Sequence, residues 1–274
     1  RDRAQRPAHL GNRWSRAVEI SNLGTQEATS AEIRKWLAMP DWTPKQRLAL
    51  ACRILASEGH VAGLSGQITL RAKEGGYWTL PLGLGFDEAI ASIMIRIDDN
   101  LRLLHGAGMP HPAVRLHLAI YRARPDVTAI IHTQPPYCSA LTMIGQPLVV
   151  SHMDSAMLYD ECAHLAEWPE GRITEQGGEA VARTLGSKRA ILLAHHGQLS
   201  VGGSIAEATY LAINVERGGR MQLRAQGAGL IKSINKEHAR DIHDFLLTPE
   251  IVNATFNHFA RRVIRQPRGE EALG

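Results

Sequence analysis

Two stretches of the sequence decide the fold class: TAIIHTQPPYCSAL at residues 128–141 and RAILLAHHGQLSVG at residues 189–202. In each stretch a short apolar run ends abruptly at histidine, His132 in the first and His195–His196 in the second. Short apolar runs are typical of buried strands, and the end of a strand places its side chain at the edge of a sheet, where a pocket can form. The pattern therefore predicts a sheet that carries histidines at one edge.

Periodicity predicts the other elements, working outward from these two stretches. Helical spacing predicts helices at 30–39, 43–60, 113–124, 177–187 and 205–226, and two more within 236–264 on either side of Thr248–Pro249. Alternation predicts a hairpin at 65–81, a strand pair at 92–106 and a strand at 146–151. Because strands and helices intermingle, we expect one α/β domain with a central mixed or antiparallel sheet covered by helices.

The chain is expected to comprise an N-terminal arm at 1–30, one domain at 31–265 and a tail at 266–274. Its 274 residues, with 44% hydrophobic and 21% charged side chains, are enough to bury a full core. The arginines near the C-terminus follow one another closely and are expected to lie in solvent. They are Arg261, Arg262, Arg265 and Arg268.

Composition limits the partners that the chain is expected to have. The formal charge of +4 is spread along the sequence, which disfavours nucleic acid and suits a small acidic substrate. No apolar run approaches the roughly 20 residues that span a bilayer, and no secretion signal is apparent. Three widely spaced cysteines, Cys52, Cys138 and Cys162, argue against a disulfide framework. A cytoplasmic location and no membrane contact are therefore expected.

Histidine is the commonest metal ligand in proteins, and zinc, manganese, iron and cobalt all accept imidazole. His132 and His196 are therefore candidate ligands for one divalent transition metal, although a structural or surface role for both histidines stays open. Gln134 occupies the second position of an H-x-H spacing, which would face the same side of the strand as His132.

The segments GLSGQ at 63–67 and PLGLG at 81–85 offer backbone N–H groups for an anion, or serve only their turns. Candidate substrate-binding residues in these segments are Ser65, Gly66, Gln67 and Gly83. Candidate proton donors elsewhere in the sequence are His111, His195 and Tyr137.

The order of GLSGQITLR, LPLGLGFDE, LHLAIYRARPDVTAIIHTQPPYCSAL and ILLAHHGQLSVGG resembles the class II aldolase/adducin family across about residues 45–225. The resemblance implies a three-layer α/β/α sandwich with a mainly antiparallel sheet, and homo-oligomers, commonly C4 tetramers with sites at subunit interfaces. It also implies a divalent metal bound at His132, at the position of Gln134 and at His196. His152 and His195 are candidates to take the place of Gln134 as the third metal ligand.

Three departures from the family pattern bear on the reaction. Ala113 stands where the family aldolases have a catalytic glutamate, His111 and Pro112 replace a serine pair that holds phosphate, and Gln67 replaces an asparagine. Alanine cannot move a proton, so a decarboxylase of a small hydroxylated aromatic or heteroaromatic acid is expected before an aldolase. The alternatives are an aldolase for a non-phosphorylated hydroxy-oxo acid, a non-haem iron oxygenase with a carboxylate ligand such as Asp154, and a non-catalytic adducin-like binding module.

Overall fold

The computed structural model describes residues 31, 40–60, 63–168 and 174–274. The predicted arm at 1–30 lies outside these residues, as does the helix predicted at 30–39 apart from Ala31. The domain to which the described residues from Pro40 onward belong spans 39–274.

Eight strands of the described residues form one sheet in the order β4-β3-β2-β1-β5-β8-β7-β6. The strands are β1 (Gln67–Arg71), β2 (Tyr77–Thr79), β3 (Ile95–Ile97), β4 (Leu103–His105), β5 (Ala129–Thr133), β6 (Cys162–Leu165), β7 (Ala190–Leu193) and β8 (Gly197–Gly202). Neighbouring strands are antiparallel except for β6 and β7, which are parallel. The prediction of a mainly antiparallel sheet is confirmed.

Helices cover both faces of the sheet. They are α1 (Pro44–Ser57), α2 (Val114–Ala123), α3 (Pro136–Met143), α4 (Glu175–Leu185), α5 (Ile205–Gln226), α6 (Lys236–Leu246) and α7 (Pro249–Ile264). Helices α2 and α4 bury their apolar sides against Ile130, Ile191 and Leu199 on one face. Helices α1, α3, α5 and α7 cover the other face, which carries Ala129, Ile131 and Leu192. The result is the three-layer α/β/α sandwich that the sequence predicted.

Helix α1 begins as its sequence indicates. Thr43 accepts a hydrogen bond from the Gln46 backbone N–H, the Gln46 side chain accepts one from the Thr43 N–H, and Pro44 occupies the first helical turn. These groups satisfy two donors that a helix start leaves free. The apolar face that follows, including Leu48, Cys52 and Leu55, is fully buried.

The segment predicted as a strand at 146–151 is irregular instead. Gln222 of α5 accepts a hydrogen bond from Val149 N–H at 2.8 Å and donates one to the Pro147 carbonyl at 3.0 Å. The Gln222 side chain therefore forms the hydrogen bonds with this backbone that a neighbouring strand would otherwise have formed. Among the strands and α-helices of the described residues, two were not predicted: strand β6, and helix α3, which starts where Pro135–Pro136 had suggested only an end to the preceding strand.

The C-terminal segment 266–274 is not a solvated tail. Gly269–Leu273 forms a 3-10 helix, Ala272 is fully buried, and the Gln46 side chain donates to the Leu273 carbonyl at 2.9 Å. The apolar Ala272 docks against α1, which explains why the segment is held in place. No helix among the described residues combines the length and the apolar character needed to cross a bilayer.

Candidate active site

The predicted histidine edge of the sheet exists, and it is built where β1, β5 and β8 meet. His132 lies directly opposite Gln67 of β1 and Leu199 of β8 in the antiparallel ladders. Side chains of directly opposed residues stand on the same face of a sheet, here the face covered by α2 and α4. His132 is fully buried there.

His196 reaches this edge through the tight turn that joins β7 to β8. The His196 N–H donates to the Leu193 carbonyl at 3.0 Å, and His195 adopts a left-handed conformation with φ of 54°. Gly197 follows, and a Cβ atom on it would lie 2.5 Å from the Thr133 carbonyl oxygen and 3.0 Å from the Gln134 Cα atom. Only glycine permits this approach, which brings His196 beside the end of β5.

The rings of His132 and His196 form an edge-to-face pair with centroids 4.8 Å apart. Trp168, which sequence reasoning did not single out, packs edge-on against His196 at 5.4 Å between centroids. Trp168 lies in the loop after β6, and nothing in its sequence context marked it as part of this edge. The indole therefore forms an apolar wall beside the pair of imidazoles.

Gln134 continues the chain past β5 and turns its amide toward His132. The Nε2 atoms of Gln134 and His132 are 3.3 Å apart, and the Gln134 Oε1 atom is buried without a partner among the described residues. The other ring nitrogen of His132, Nδ1, is likewise buried and unpartnered within the described part of the chain. A buried polar atom without a partner is costly, so the Gln134 oxygen indicates that a further group belongs beside the Nε2 atom of His132.

A third imidazole, that of His117, lies close to His132. His117 of α2 is fully buried with its ring centroid 6.3 Å from that of His132, and its Nδ1 atom is 2.8 Å from the Thr69 hydroxyl. The Thr69 hydroxyl also contacts the Tyr121 hydroxyl at 3.0 Å. The other ring nitrogen of His117, Nε2, is buried and has no partner among the described residues.

His111, in the loop before α2, lies near His117 and His132. Its Nδ1 atom accepts a hydrogen bond from the Ala113 N–H at 3.1 Å, and the ring is half-buried. In a neutral imidazole whose Nδ1 atom accepts, the proton is on Nε2, so His111 offers an N–H donor. Ala113 itself is buried, and its methyl group supplies no proton carrier.

The electrostatics of the site keep its imidazoles neutral. Burial lowers the pKa of His132 well below its usual value, and His196, His117 and His111 lower it further as potential like charges. Burial also lowers the pKa of His196 and of His111, and it lowers the pKa of His117 to about 3. Neutral imidazole is the form that binds a metal, so the protein favours ligation over protonation.

His132 and His196 are two neighbouring imidazoles whose chemistry fits a divalent transition metal. Among the described residues, no three His, Cys, Asp or Glu side chains are arranged to hold such an ion. The Gln134 amide, which lies against His132, would offer an oxygen as a further donor, because half a turn of the amide exchanges its nitrogen for its oxygen.

The other predicted residues fall into two groups. Gly66, Gln67, Gly83 and His111 line one narrow cleft beside His132, whereas Ser65 is exposed and does not line it. His195 is exposed at its turn, and Tyr137 stacks its ring against the Arg220 guanidinium at 5.7 Å.

His152 and Asp154 are not brought to the histidine pair within this chain. Both line a separate groove of about 450 Å³ together with arginines of α5. His152 instead accepts a hydrogen bond from the Asp154 N–H at 3.2 Å. As candidate ligands in this chain they are therefore less well placed than Gln134.

Sequence reasoning also missed Glu216. The carboxylate of this buried α5 residue accepts hydrogen bonds from the Tyr137 and Cys138 N–H groups at 2.9 and 2.8 Å. It thereby caps α3, which has no side-chain cap of its own, and anchors the chain just after Gln134. The only sequence signal would have been an acidic residue in the apolar middle of α5.

The arrangement agrees with comparisons to known proteins. Residues 46–223 match the family described as Class II Aldolase and Adducin N-terminal domain. The chain belongs to the class II aldolase and adducin family. The resemblance inferred from the sequence motifs is thus confirmed, with more than half of the chain covered by the match.

Relatives within this family carry different activities in their names. The chain is 28% identical over 206 residues to a 3,4-dihydroxyphthalate decarboxylase of Arthrobacter keyseri, covering 69% of this chain and 83% of the relative. It is 30% identical over 217 residues to a 4-hydroxy-3-prenylphenylpyruvate oxygenase/4-hydroxy-3-prenylbenzoate synthase of Streptomyces roseochromogenus subsp. oscitans, covering 77% and 76%. An L-fuculose 1-phosphate aldolase from Glaciozyma antarctica PI12 superposes with a TM-score of 0.75 at 29% identity, covering 92% and 95%.

Proposed function

We propose that this class II aldolase family member is a metal-dependent carbon–carbon lyase, and specifically a decarboxylase of a small hydroxylated aromatic or heteroaromatic carboxylic acid. The observation that carries the proposal is the chemistry around His132. The described residues that line the cleft at Gln67 and His111 include no Asp or Glu, and Ala113, two residues after His111, is a buried alanine. Carbon–carbon cleavage that requires a carboxylate base has no such base in the described part of this site.

Residues His132 and His196 would hold the metal, with the Gln134 amide oxygen as the third donor. A bound divalent metal supplies Lewis-acid stabilisation of negative charge that develops on substrate oxygens. The neutral state of the two histidines leaves lone pairs for that role. Trp168 excludes water from one side of His196, which strengthens electrostatic interactions inside the site.

Decarboxylation needs few protein groups beyond this set. The bond between the carboxylate and its carbon breaks, CO2 leaves, and the electron pair stays on the carbon until a proton arrives. Of the three predicted proton donors, His111 is best placed, because it alone lines the cleft beside His132. Its Nε2–H gives the proton to that carbon, and the ring regains a proton from water.

The named activities of relatives support this class of substrate without deciding it. One relative is named as a decarboxylase of a dihydroxylated aromatic diacid, and another as an oxygenase of a prenylated aromatic acid. The oxygenase relative makes an iron-dependent oxygenase the second candidate function. Against it stands Asp154, the predicted carboxylate ligand, which lines a different groove from the histidine pair.

The test is release of CO2 from a panel of mono- and dihydroxylated aromatic and heteroaromatic acids. Protein reconstituted separately with Zn²⁺, Mn²⁺, Co²⁺ and Fe²⁺ would be assayed with O2 uptake recorded in parallel. We expect CO2 release without O2 uptake, abolished in His132→Ala and retained in His152→Ala. O2 consumption coupled to turnover would show the oxygenase instead, carbonyl products from hydroxy-oxo acids would show an aldolase, and no turnover with any metal would favour a binding module.

A further inference from the structure

Two polar residues lie opposite each other on the reverse side of the sheet from His132. Thr133, which follows His132 in β5, is directly opposite Gln198, which stands two residues after His196. Successive side chains of a strand point to opposite faces, so Thr133 and Gln198 face the layer of α1, α3, α5 and α7. They therefore adjoin both histidines in the chain while lying on the other face of the sheet.

These two side chains belong to a buried chain of hydrogen bonds. The Gln198 Nε2 atom donates to the Thr133 hydroxyl at 2.7 Å, and the Ser200 hydroxyl donates to Gln198 Oε1 at 2.6 Å. The Thr133 hydroxyl is also 2.9 Å from His60 Nδ1. All four residues are at most 1% exposed. We call them the polar chain: Ser200, Gln198, Thr133 and His60.

The polar chain has one direction. A hydroxyl carries a single proton, and because the Thr133 hydroxyl accepts from Gln198, its own proton is free to go to His60 Nδ1. Burial lowers the pKa of His60 to about 3, so the ring is neutral and its Nδ1 atom can accept. Each member then donates to the next, an arrangement in which successive hydrogen bonds polarise and strengthen one another.

The far end of the polar chain is anchored on helix α1. The Gly59 N–H donates to the Ala56 carbonyl at 3.1 Å, and the His60 N–H donates to the Leu55 carbonyl at 2.9 Å. With a φ of 86° at Gly59, these two hydrogen bonds form the helix-ending arrangement known as a Schellman motif. His60 is thereby fixed by an element other than β5 and β8.

The polar chain is a costly way to fill this face of the sheet. Neighbours on the same face, such as Ala129 and Ile131, are apolar, and the Nε2 atom of His60 is buried without a partner among the described residues. Apolar side chains would fill the same space without that cost. They would not supply directional contacts, and such contacts fix how neighbouring elements stand relative to one another.

What the polar chain fixes is the pair of strands that carries the histidines. The bond between Thr133 and Gln198 spans β5 and β8, next to the close backbone approach of Gly197 to Thr133. A rotation of either strand about its axis would move the rings of His132 and His196 apart on one face. The same rotation would stretch the bond between Thr133 and Gln198 on the other face.

We infer that Thr133 and Gln198 are positioning residues, which set the relative placement of His132 and His196 through a side-chain hydrogen bond on the reverse face of the sheet. His60 holds Thr133 in the orientation that this bond requires. The inference rests on the proposed function for the metal that the two histidines would hold. Groups outside the ligand set that orient the ligands commonly control metal affinity.

Zinc affinity of the full chain, measured by competition with a chromophoric chelator, tests the inference, and the visible absorption of bound Co²⁺ reports the ligand geometry. Thr133→Val and Gln198→Met remove the hydrogen bond with little change of shape, whereas Thr133→Ser keeps the hydroxyl. Thr209→Val is the matched control. Thr209 is equally buried, but its hydroxyl donates to the Ile205 carbonyl at 2.7 Å within α5.

We expect Thr133→Val and Gln198→Met each to weaken zinc binding roughly 10- to 100-fold and to alter the Co²⁺ spectrum. The double variant should lose no more than the weaker-binding single variant, because both changes break one bond. Thr133→Ser and Thr209→Val should match wild type. Wild-type affinity in Thr133→Val or Gln198→Met, or an equal loss in Thr209→Val, would overturn the inference. If Thr133→Val does not fold, Gln198→Met decides.

NMR of the imidazole groups in the metal-free chain separates this inference from the proposed function. Thr133→Val should shift the ring signals of His196, and Gln198→Met those of His132, each across the strand pair, whereas Thr209→Val should shift neither. Such shifts in a chain that binds no zinc would leave the positioning role and remove the metal-dependent lyase. Zinc binding and CO2 release that are indifferent to Thr133→Val would do the reverse, and the absence of any shift would also remove the positioning role.

Discussion

Gly197 packs against Thr133 so closely that the backbones of β8 and β5 are in contact at the point where the two histidines meet. A Cβ atom on Gly197 would lie 2.5 Å from the Thr133 carbonyl oxygen, with the Gln134 backbone next to it. Both neighbours are main chain, so neither can swing aside. The spacing between His132 and His196 therefore depends on the absence of a single side chain.

Replacing Gly197 with alanine should separate the two strands and spread the histidine pair. We expect Gly197→Ala to lower the free energy of unfolding by roughly 1–3 kcal/mol, as overpacking does, and to reduce bound metal. Urea unfolding and metal analysis by mass spectrometry measure both effects. Gly203→Ala is the matched control, since the only atom near its Cβ position is a Glu207 carboxylate oxygen at 3.5 Å. Equal metal content in the two variants would contradict the role assigned to Gly197.

The assigned metal donors predict how much bound metal each variant should lose. His132→Ala and His196→Ala should each abolish metal retention, because each removes one of the two imidazole donors assigned to the metal. Gln134→Ala should weaken it less, since an amide oxygen is the poorer donor. His152→Ala should retain the wild-type metal content, and it serves as the control because His152 lies in another groove. Metal retained in full by both His132→Ala and His196→Ala would remove the site.

Ala113 permits a direct test of decarboxylase against aldolase chemistry. Ala113→Glu places a carboxylate at the position where family aldolases have one, one helical turn before His117. On the decarboxylase proposal it should lower CO2 release, because a carboxylate crowds and repels an acidic substrate. Ala113→Gln, of the same size without the charge, separates crowding from repulsion. A clear gain in CO2 release in Ala113→Glu alone would contradict the proposal.

An ion-pair network formed by Glu161, Arg189 and His243 predicts how the free energy of unfolding depends on pH. Glu161 accepts hydrogen bonds from Arg189 and, at 3.1 Å, from His243 of α6. Burial alone would raise the pKa of Glu161, but these two partners outweigh it and lower the pKa to about 2. The hydrogen bond to Glu161 raises the pKa of His243, with burial opposing and Asp244 assisting.

The pKa shifts of Glu161 and His243 define the pH range in which the protein is most stable. The contribution of His243 is fully present below its unfolded pKa near 6.5 and is lost as pH rises through its raised folded value. The contribution of Glu161 is present above its unfolded pKa near 4.5 and is lost as pH falls toward 2. We therefore expect a stability maximum between about pH 4.5 and 6.5, and His243→Gln should flatten its upper side in urea titrations at pH 6 and pH 8.5. An unchanged slope in His243→Gln would show that this pair does not set the pH dependence.

The sequence by itself determined the architecture and most of the histidine edge. Apolar runs that end at His132 and at His195–His196 mark strands, because local alternation and strand length depend on neighbouring residues alone. The motif order then indicated the family. The same local signals failed at 146–151, where Gln222 from a distant helix takes the backbone hydrogen bonds of the predicted strand.

Tertiary structure alone decided which polar groups meet. Trp168 packs against His196, and Glu216 caps the helix after Gln134, yet each lies far in sequence from the residue that it contacts. Such contacts follow from strand register and from the close approach at Gly197, which no local pattern encodes. The sequence thus determined that histidines gather at a sheet edge, whereas packing decided that His132, His196 and Gln134 gather there and His152 does not.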